Sequence, residues 1–137
     1  MDGSMNIESD MTQTFTVTQL CREFDVTPRA LRFYEAKGLL HPAREGMRRR
    51  FDQRDRARLA LILRGKRFGF SLAEIGELLD LYDTDNTQVS QLTRTMEVAG
   101  RRLDAMRNQR DELTIAIEEL QKQMNFVANL LVEKKND

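Results

Sequence analysis

The chain has 137 residues, 40% of them hydrophobic and 32% charged, with 22 Lys and Arg balanced by 22 Asp and Glu. No apolar run approaches the roughly 18 residues that a membrane span requires, so no membrane partner is expected. One Cys and one His supply neither a disulfide framework nor the three or four ligands of a zinc site. The expectation is therefore no metal, no cofactor and a reducing, cytoplasmic setting.

The neutral total hides an uneven distribution. Residues 22–67 hold 14 Lys and Arg against 6 Asp and Glu, a local +8, while residues 1–21 and 68–80 each carry −3 and residues 81–137 carry −2. A basic block in an otherwise acidic chain is what binding to a phosphate backbone requires, because each neutralised phosphate releases counterions. Charge alone is equally compatible with a solvated basic face, so the local elements must decide.

The opening MDGSMNIESDM carries three acidic residues and lacks the apolar core of a signal peptide. Residues 1–13 are expected to form a disordered lead-in, with Met1, Met5 and Met11 as candidate starts. Thr16 and Gln19 have the spacing of a capping box, which predicts a helix from Val17 with Val17, Leu20, Cys21 and Phe24 on one face. Asp25 and Val26 make a short turn. Thr27 then caps a second helix with Pro28 at its first position, and Gly38 ends it. Two short helices joined by a tight turn, the second opening with Arg29 and Arg32, form a helix-turn-helix.

His41 to Phe51, HPAREGMRRRF, lies between Gly38 and the next cap and reads as a short β-hairpin wing. Asp52 caps the helix that follows, with Leu59, Ile62 and Leu63 facing inward and Gly69 stopping it. Ser71 and Glu74 form a second capping box, opening a helix that buries Leu72, Ile75, Leu78 and Leu79. Tyr82 to Asn86 reads as a polar loop.

From Val89, steps alternating between three and four residues reach Leu92, Met96, Ala99, Leu103, Met106, Arg110, Leu113, Ile117, Leu120, Met124, Val127 and Leu131. Twelve of these thirteen positions are apolar, a 3.5-residue repeat sustained over six heptads. Such a repeat marks a coiled-coil seam. A helix of this extent spans about 64 Å, too long to pack against an 80-residue domain, so its expected partner is a second copy. Arg110, the charged exception, is the midpoint of the seam by count. The residues three and four positions away, Met106, Arg107, Leu113 and Thr114, offer it no relief, so an antiparallel dimer would set it against its own copy or the partner's Asp111 in full overlap, or under the partner's DNA-binding domain if the helices overlap asymmetrically.

With these residues in place, the sequence resembles the MerR family of bacterial transcription regulators over about residues 14–131. The carrying motifs are FTVTQLCREFDVTPRALRFYEAKGLL, with the Leu-Arg-aromatic-Tyr-Glu signature at Leu31 to Glu35, then the wing GMRRRF and then GFSLAEIGELLDL. The resemblance implies a mainly α fold: a winged helix-turn-helix DNA-binding domain over residues 14–82 and a dimerising antiparallel coiled-coil helix over residues 86–133. It also implies a homodimer that binds double-stranded promoter DNA at an inverted repeat. Transcription would be controlled by distorting that DNA so that RNA polymerase engages both promoter elements.

The wing departs from the family pattern by a one-residue insertion between Gly46 and Phe51. The chain is also expected to lack the C-terminal ligand-binding domain of multidrug-sensing relatives. RGKRFGFSLAEIGELLDLYD looks most like regulators of branched-chain amino acid and acyl catabolism.

Within that frame, an exposed Arg29 could bond a guanine edge in bidentate fashion or bind a phosphate. The resemblance carries Arg32 and Tyr34 over as DNA-contacting, whereas Phe33, which replaces a commoner tyrosine, is expected in the core. Arg48, Arg49 and Arg50 are the wing's phosphate candidates, with Arg49 favoured because it sits two before the aromatic. Thr16 caps the first helix beside an anion-attracting N-terminus. The dimerisation set is Leu92, Met96, Ala99, Leu103, Met106, Arg110, Leu113, Ile117 and Leu120. Cys21 is expected to be a small buried hydrophobe rather than a sensor, and His41 a turn residue. No nucleophile with its base, carboxylate cluster or phosphate-binding glycine loop is present, so no enzyme is expected. The alternative is a coiled-coil adaptor with an incidental basic head.

Overall fold

The computed structural model describes residues 13–83 and 88–137. The chain divides into two compact units, with the boundary between Thr95 and Met96. The fold is mostly helical, with a helix-turn-helix and wing in the N-terminal region and a long C-terminal helix.

In the first unit, β1 (Thr14–Phe15) leads into α1 (Val17–Phe24) and α2 (Pro28–Ala36), followed by β2 (Ala43–Glu45), β3 (Arg48–Asp52), α3 (Gln53–Phe68) and α4 (Leu72–Asp83). The helix boundaries follow from their caps. Thr16 accepts a hydrogen bond from the Gln19 amide while the Gln19 side chain accepts one from the Thr16 amide, and Ser71 and Glu74 repeat the arrangement ahead of α4. Thr27 caps α2 with Pro28 in its first turn, and α3 ends at Gly69, whose φ of 91° is left-handed.

The predicted wing is a hairpin of β2 and β3, paired antiparallel with Glu45 opposite Arg48, so that Gly46 and Met47 form a two-residue turn. Gly46 has φ 65°, as the first central position of a type II′ turn demands. The ladder register is regular from Ala43 through Glu45, so the hairpin carries no bulge there. β1 adds to the expected elements: Thr14 and Phe15 pair with Asp52 and Phe51, making a three-stranded sheet in the order β1-β3-β2.

Leu20, Leu31, Tyr34, Leu39, Leu40, Phe51, Leu59, Ile62, Ile75 and Leu79 form one buried cluster drawing on all four helices and β3. The expected polar loop is corrected at its start, because Tyr82 and Asp83 complete α4. Asp83 is held there by Arg54 and by Arg58, whose Nε also donates to the Leu39 carbonyl at 2.8 Å. Thr84, Asp85 and Asn86 lie outside the described residues, as do residues 1–12 of the expected lead-in.

α5 (Val89–Asn136) is a single helix of 48 residues, about 72 Å long at the usual rise, and its C-terminal portion makes up the second unit. Apart from the half-buried Ala99 its seam residues are exposed, among them Leu113, Ile117, Leu120 and Met124, each more than half accessible. Arg110 bonds Asp111 of its own chain at 3.1 Å. This corrects the expectation that its own helix offers no relief: a long guanidinium reaches the adjacent carboxylate, although neighbouring positions point about 100° apart.

Gly65 sets how closely α3 and α4 approach. A Cβ at this position would stand 2.8 Å from Cγ1 of Ile75, a fully buried side chain. Gly65→Val is expected to destabilise the fold by about 2 kcal/mol through overpacking. Urea denaturation followed by circular dichroism checks this; an unchanged midpoint would mean the helices separate at no cost.

Candidate nucleic-acid interface

The turn between α1 and α2 is made by Asp25, which takes the left-handed conformation at φ 55° that Asp tolerates better than most residues. The Val26 amide then bonds the Cys21 carbonyl at 3.2 Å and closes α1. Helical phase decides which residues α2 presents. Leu31 and Tyr34, three apart, are 1% and 2% exposed, so the opposite face carries Arg29, Arg32, Phe33 and Ala36 at i, i+3, i+4 and i+7. Among the described residues neither Arg29 nor Arg32 has an ion-pair partner.

That phase reverses the expectation for the two aromatics. Tyr34, expected at the DNA, has its ring in the core under Lys66, whose Nζ is 5.6 Å from the ring centroid. Phe33, expected in the core, is 45% exposed and carries Lys37 over its face. Adjacent helical residues point about 100° apart, so only one ring of the pair can follow Leu31 inward.

The wing sorts its arginines by strand alternation. Phe51 is fully buried, so Arg49 shares its face and points back toward the domain, where it pairs with Glu35 of α2. Arg44, directly opposite Arg49 in the ladder, bonds the other oxygen of Glu35 at 3.3 Å. Arg50 pairs with Glu45 at 2.8 Å. Arg48 remains exposed, and among the described residues it has no ion-pair partner. Arg49, favoured from sequence as the wing's phosphate contact, is thus engaged with Glu35: sitting two before the aromatic is what turns it toward α2.

Thr16, Val17 and Thr18 at the start of α1, together with Met47, Arg48, Arg49 and Arg50, line an open concavity of about 420 Å³. A helix N-terminus and an unpaired arginine converge on one recess, an arrangement suited to a phosphate group. A further basic edge lies outside the set expected from sequence. Arg64, Lys66 and Arg67 are exposed near the end of α3, and neither Arg64 nor Arg67 has an ion-pair partner among the described residues. Its signal is the run Arg64-Gly65-Lys66-Arg67 shortly before the Gly69 cap.

Cys21 is partly buried against the core, and burial pushes its thiol above the ordinary range, away from the reactive thiolate. Among the described residues no three metal-ligating side chains come together, and no helix is long and apolar enough to cross a membrane. The His41 amide donates to Asp55 at 3.0 Å, and His41, expected in a turn, lies instead in the irregular segment between α2 and the wing.

Residues 15–81 match the family model for MerR helix-turn-helix regulatory proteins, and residues 56–123 match the MerR DNA-binding model. A transcriptional activator SoxR homologue from Chromobacterium violaceum is 32% identical over 110 residues, covering 76% of this chain and 74% of that protein. The transcriptional regulator CueR of Salmonella typhi is 29% identical over 103 residues, covering 71% of this chain and 75% of its own. Among solved structures, HiNmlR, a MerR family regulator lacking the sensor domain and bound to promoter DNA, superposes with a TM-score of 0.61 at 22% identity. That match covers 77% of this chain and 80% of HiNmlR. These relatives give no specific support to the branched-chain amino acid and acyl catabolism subgroup. The matches span the helix-turn-helix, the wing and much of the long helix, and they show that the chain belongs to the MerR family of non-catalytic, DNA-binding transcriptional regulators.

Proposed function

We propose that the chain works as a homodimer on an inverted-repeat promoter site in the cytoplasm and controls transcription by distorting that DNA for RNA polymerase. In this reading residues 14–82 are the DNA-binding domain and residues 86–133 the antiparallel dimerising coiled coil. The observation that carries it is the outward face of α2, where Arg29 and Arg32 are exposed and have no ion-pair partner among the described residues. HiNmlR, whose structure was solved on promoter DNA, supports the same use of the fold here.

In the proposed complex α2 enters the major groove, where Arg29 addresses a base edge and Arg32 a base or phosphate. Arg48 and the first turn of α1 at Thr16 hold flanking phosphates. Arg49 and Arg50 serve the wing's geometry, and Tyr34 supports α2 from below. Arg64, Lys66 and Arg67 extend the phosphate surface on a second side.

The roles of Arg48 and Arg29 separate experimentally. Duplexes recovered by the protein from a random library supply the site for anisotropy titrations. Arg48→Ala is expected to weaken binding to all sequences alike and to flatten the salt slope by about 0.9 for each phosphate no longer neutralised. Arg29→Ala should cost about 1 to 3 kcal/mol and relax the preference at one base position of each half-site. Footprints confined to one isolated half-site, or a changed base preference in Arg48→Ala alone, would overturn these assignments.

The exposed heptad seam of α5 supports the dimer, with Leu92, Met96, Ala99, Leu103, Met106, Leu113, Ile117 and Leu120 forming its apolar line. Arg110 interrupts that line, and its pairing with Asp111 leaves both side chains about two-thirds exposed, a setting where ion pairs contribute little. Arg110→Leu is expected to raise the melting temperature of the dimer by about 3 °C while loosening its alignment. Thermal melts with cysteine cross-linking along the seam check this. A clear fall in melting temperature would mean that Arg110 occupies a well-paired site in the dimer.

A further inference from the structure

Glu35, an acidic side chain of α2, bridges directly to the wing. Arg44 and Arg49 face each other directly across the β2–β3 ladder, an arrangement that like charges disfavour. Glu35, on the last turn of α2, accepts from both, Arg44 on one carboxylate oxygen and Arg49 on the other. Glu35 and Arg49 are each about three-quarters or more covered at the side chain, whereas Arg44 is half exposed. Of the wing's four arginines, Arg50 is tied to Glu45, which leaves Arg48 exposed.

We propose that Glu35 is a positioning residue for DNA specificity: it engages the guanidinium groups of Arg44 and Arg49 and uses them to lock the wing to the recognition helix. Two consequences follow from the charges. Fewer free cations face the DNA, so the sequence-independent attraction, which grows with each phosphate neutralised, is held down. The two surfaces that contact DNA are also fixed in relative position, so a phosphate held at the wing sets the register of Arg29 and Arg32 over the bases. Glu35 thereby favours discrimination over raw affinity.

This inference rests on the wing reading given under the proposed function, and Arg48→Ala serves as the control that separates the two. The full-length chain, Glu35→Gln and the double variant Arg44→Gln/Arg49→Gln are titrated by anisotropy against a duplex selected by the wild type and a scrambled duplex of equal length. Each titration is repeated across a range of salt concentrations. For Glu35→Gln, binding to the scrambled duplex is expected to strengthen and its salt slope to steepen by up to about 0.9 for each arginine released. The ratio of selected to scrambled affinity should fall at least about tenfold, a change a merely structural loss of folded protein would not produce.

The double arginine variant should leave the scrambled-duplex slope at the wild-type value, because those cations are already engaged. Combined with Glu35→Gln, it should return the steepened slope to that value. An unchanged or shallower slope in Glu35→Gln overturns the proposal, as does a shallower slope in the double arginine variant with Glu35 intact. The double variant keeps the test open should Glu35→Gln fail to fold. If Arg48→Ala leaves the slope untouched, the wing reading itself fails, whatever Glu35 does.

Discussion

The segment leaving α2, the end of the wing and the start of α3 meet at one buried carboxylate. Asp55 is 4% exposed and accepts hydrogen bonds from the His41 amide at 3.0 Å and the Asp52 amide at 3.3 Å, while Asp52 caps the Asp55 amide at 2.8 Å. These bonds tie the segment leaving α2, the end of the wing and the first turn of α3 to one side chain. Burial pushes the Asp55 carboxyl above the usual carboxylate range, more than the two backbone donors pull it down. A folded value above the unfolded one means the stability contributed by the protonated form is present at low pH and lost as pH rises through the folded value. At neutral pH the carboxylate therefore carries a desolvation cost, offset by the backbone donors that would otherwise be left unpaired. Phe51, fully buried one residue before Asp52, shows what the junction secures: β3 is anchored at its end, and the hairpin extends from that anchor.

The same logic governs the arginines. The +8 block between residues 22 and 67 overstates the positive surface, because Arg44, Arg49, Arg50, Arg54, Arg56 and Arg58 are all engaged in ion pairs. Arg56 illustrates a structural use of charge: it pairs with Glu23 and lies within 6 Å of the Phe15 and Phe24 ring centroids, joining β1, α1 and α3. That pairing pulls the Glu23 carboxyl below its ordinary range. Composition counts charges, but only geometry separates the arginines that hold the domain together from those that remain available to a ligand.

The sequence is most informative where the determinants are local. Caps at Thr16, Thr27, Asp52 and Ser71, the Pro28 start and the Gly69 stop each act within one turn, and the helices begin and end where those residues demand. It is least informative where a tertiary neighbour decides. Thr14 and Phe15 are a strand only because β3 offers them an edge, and two residues carry no periodicity of their own. Phe33 and Tyr34 are adjacent aromatics in a family motif, and the direction of the core chooses between them. Arg49 departs from expectation for a related reason: alternation along β3 places it on the same face as Phe51, whereas a run of three arginines reads in sequence as a surface group. Asp83 stays helical because Arg54 and Arg58, some 25 or more residues earlier in the chain, hold it.

The long helix obeys a different constraint. A straight α-helix drifts by about 20° per heptad relative to a 3.5-residue repeat, so over six heptads a strict seam wanders by about 120° around an unsupercoiled axis. No flat or globular surface can follow it. A second helix that winds with it can, provided its own apolar line has the same period. A copy of this chain meets that condition at twelve of the thirteen seam positions from Val89 to Leu131, and the one departure, Arg110, lies midway between them. An apolar residue there would let the two helices slide by a heptad with little change in burial. In the proposed dimer a charged one does not, since every shifted register would set a guanidinium against an apolar seam residue of the partner. In that proposed dimer the apolar repeat supplies the attraction and Arg110 the alignment, and those two properties belong to different residues.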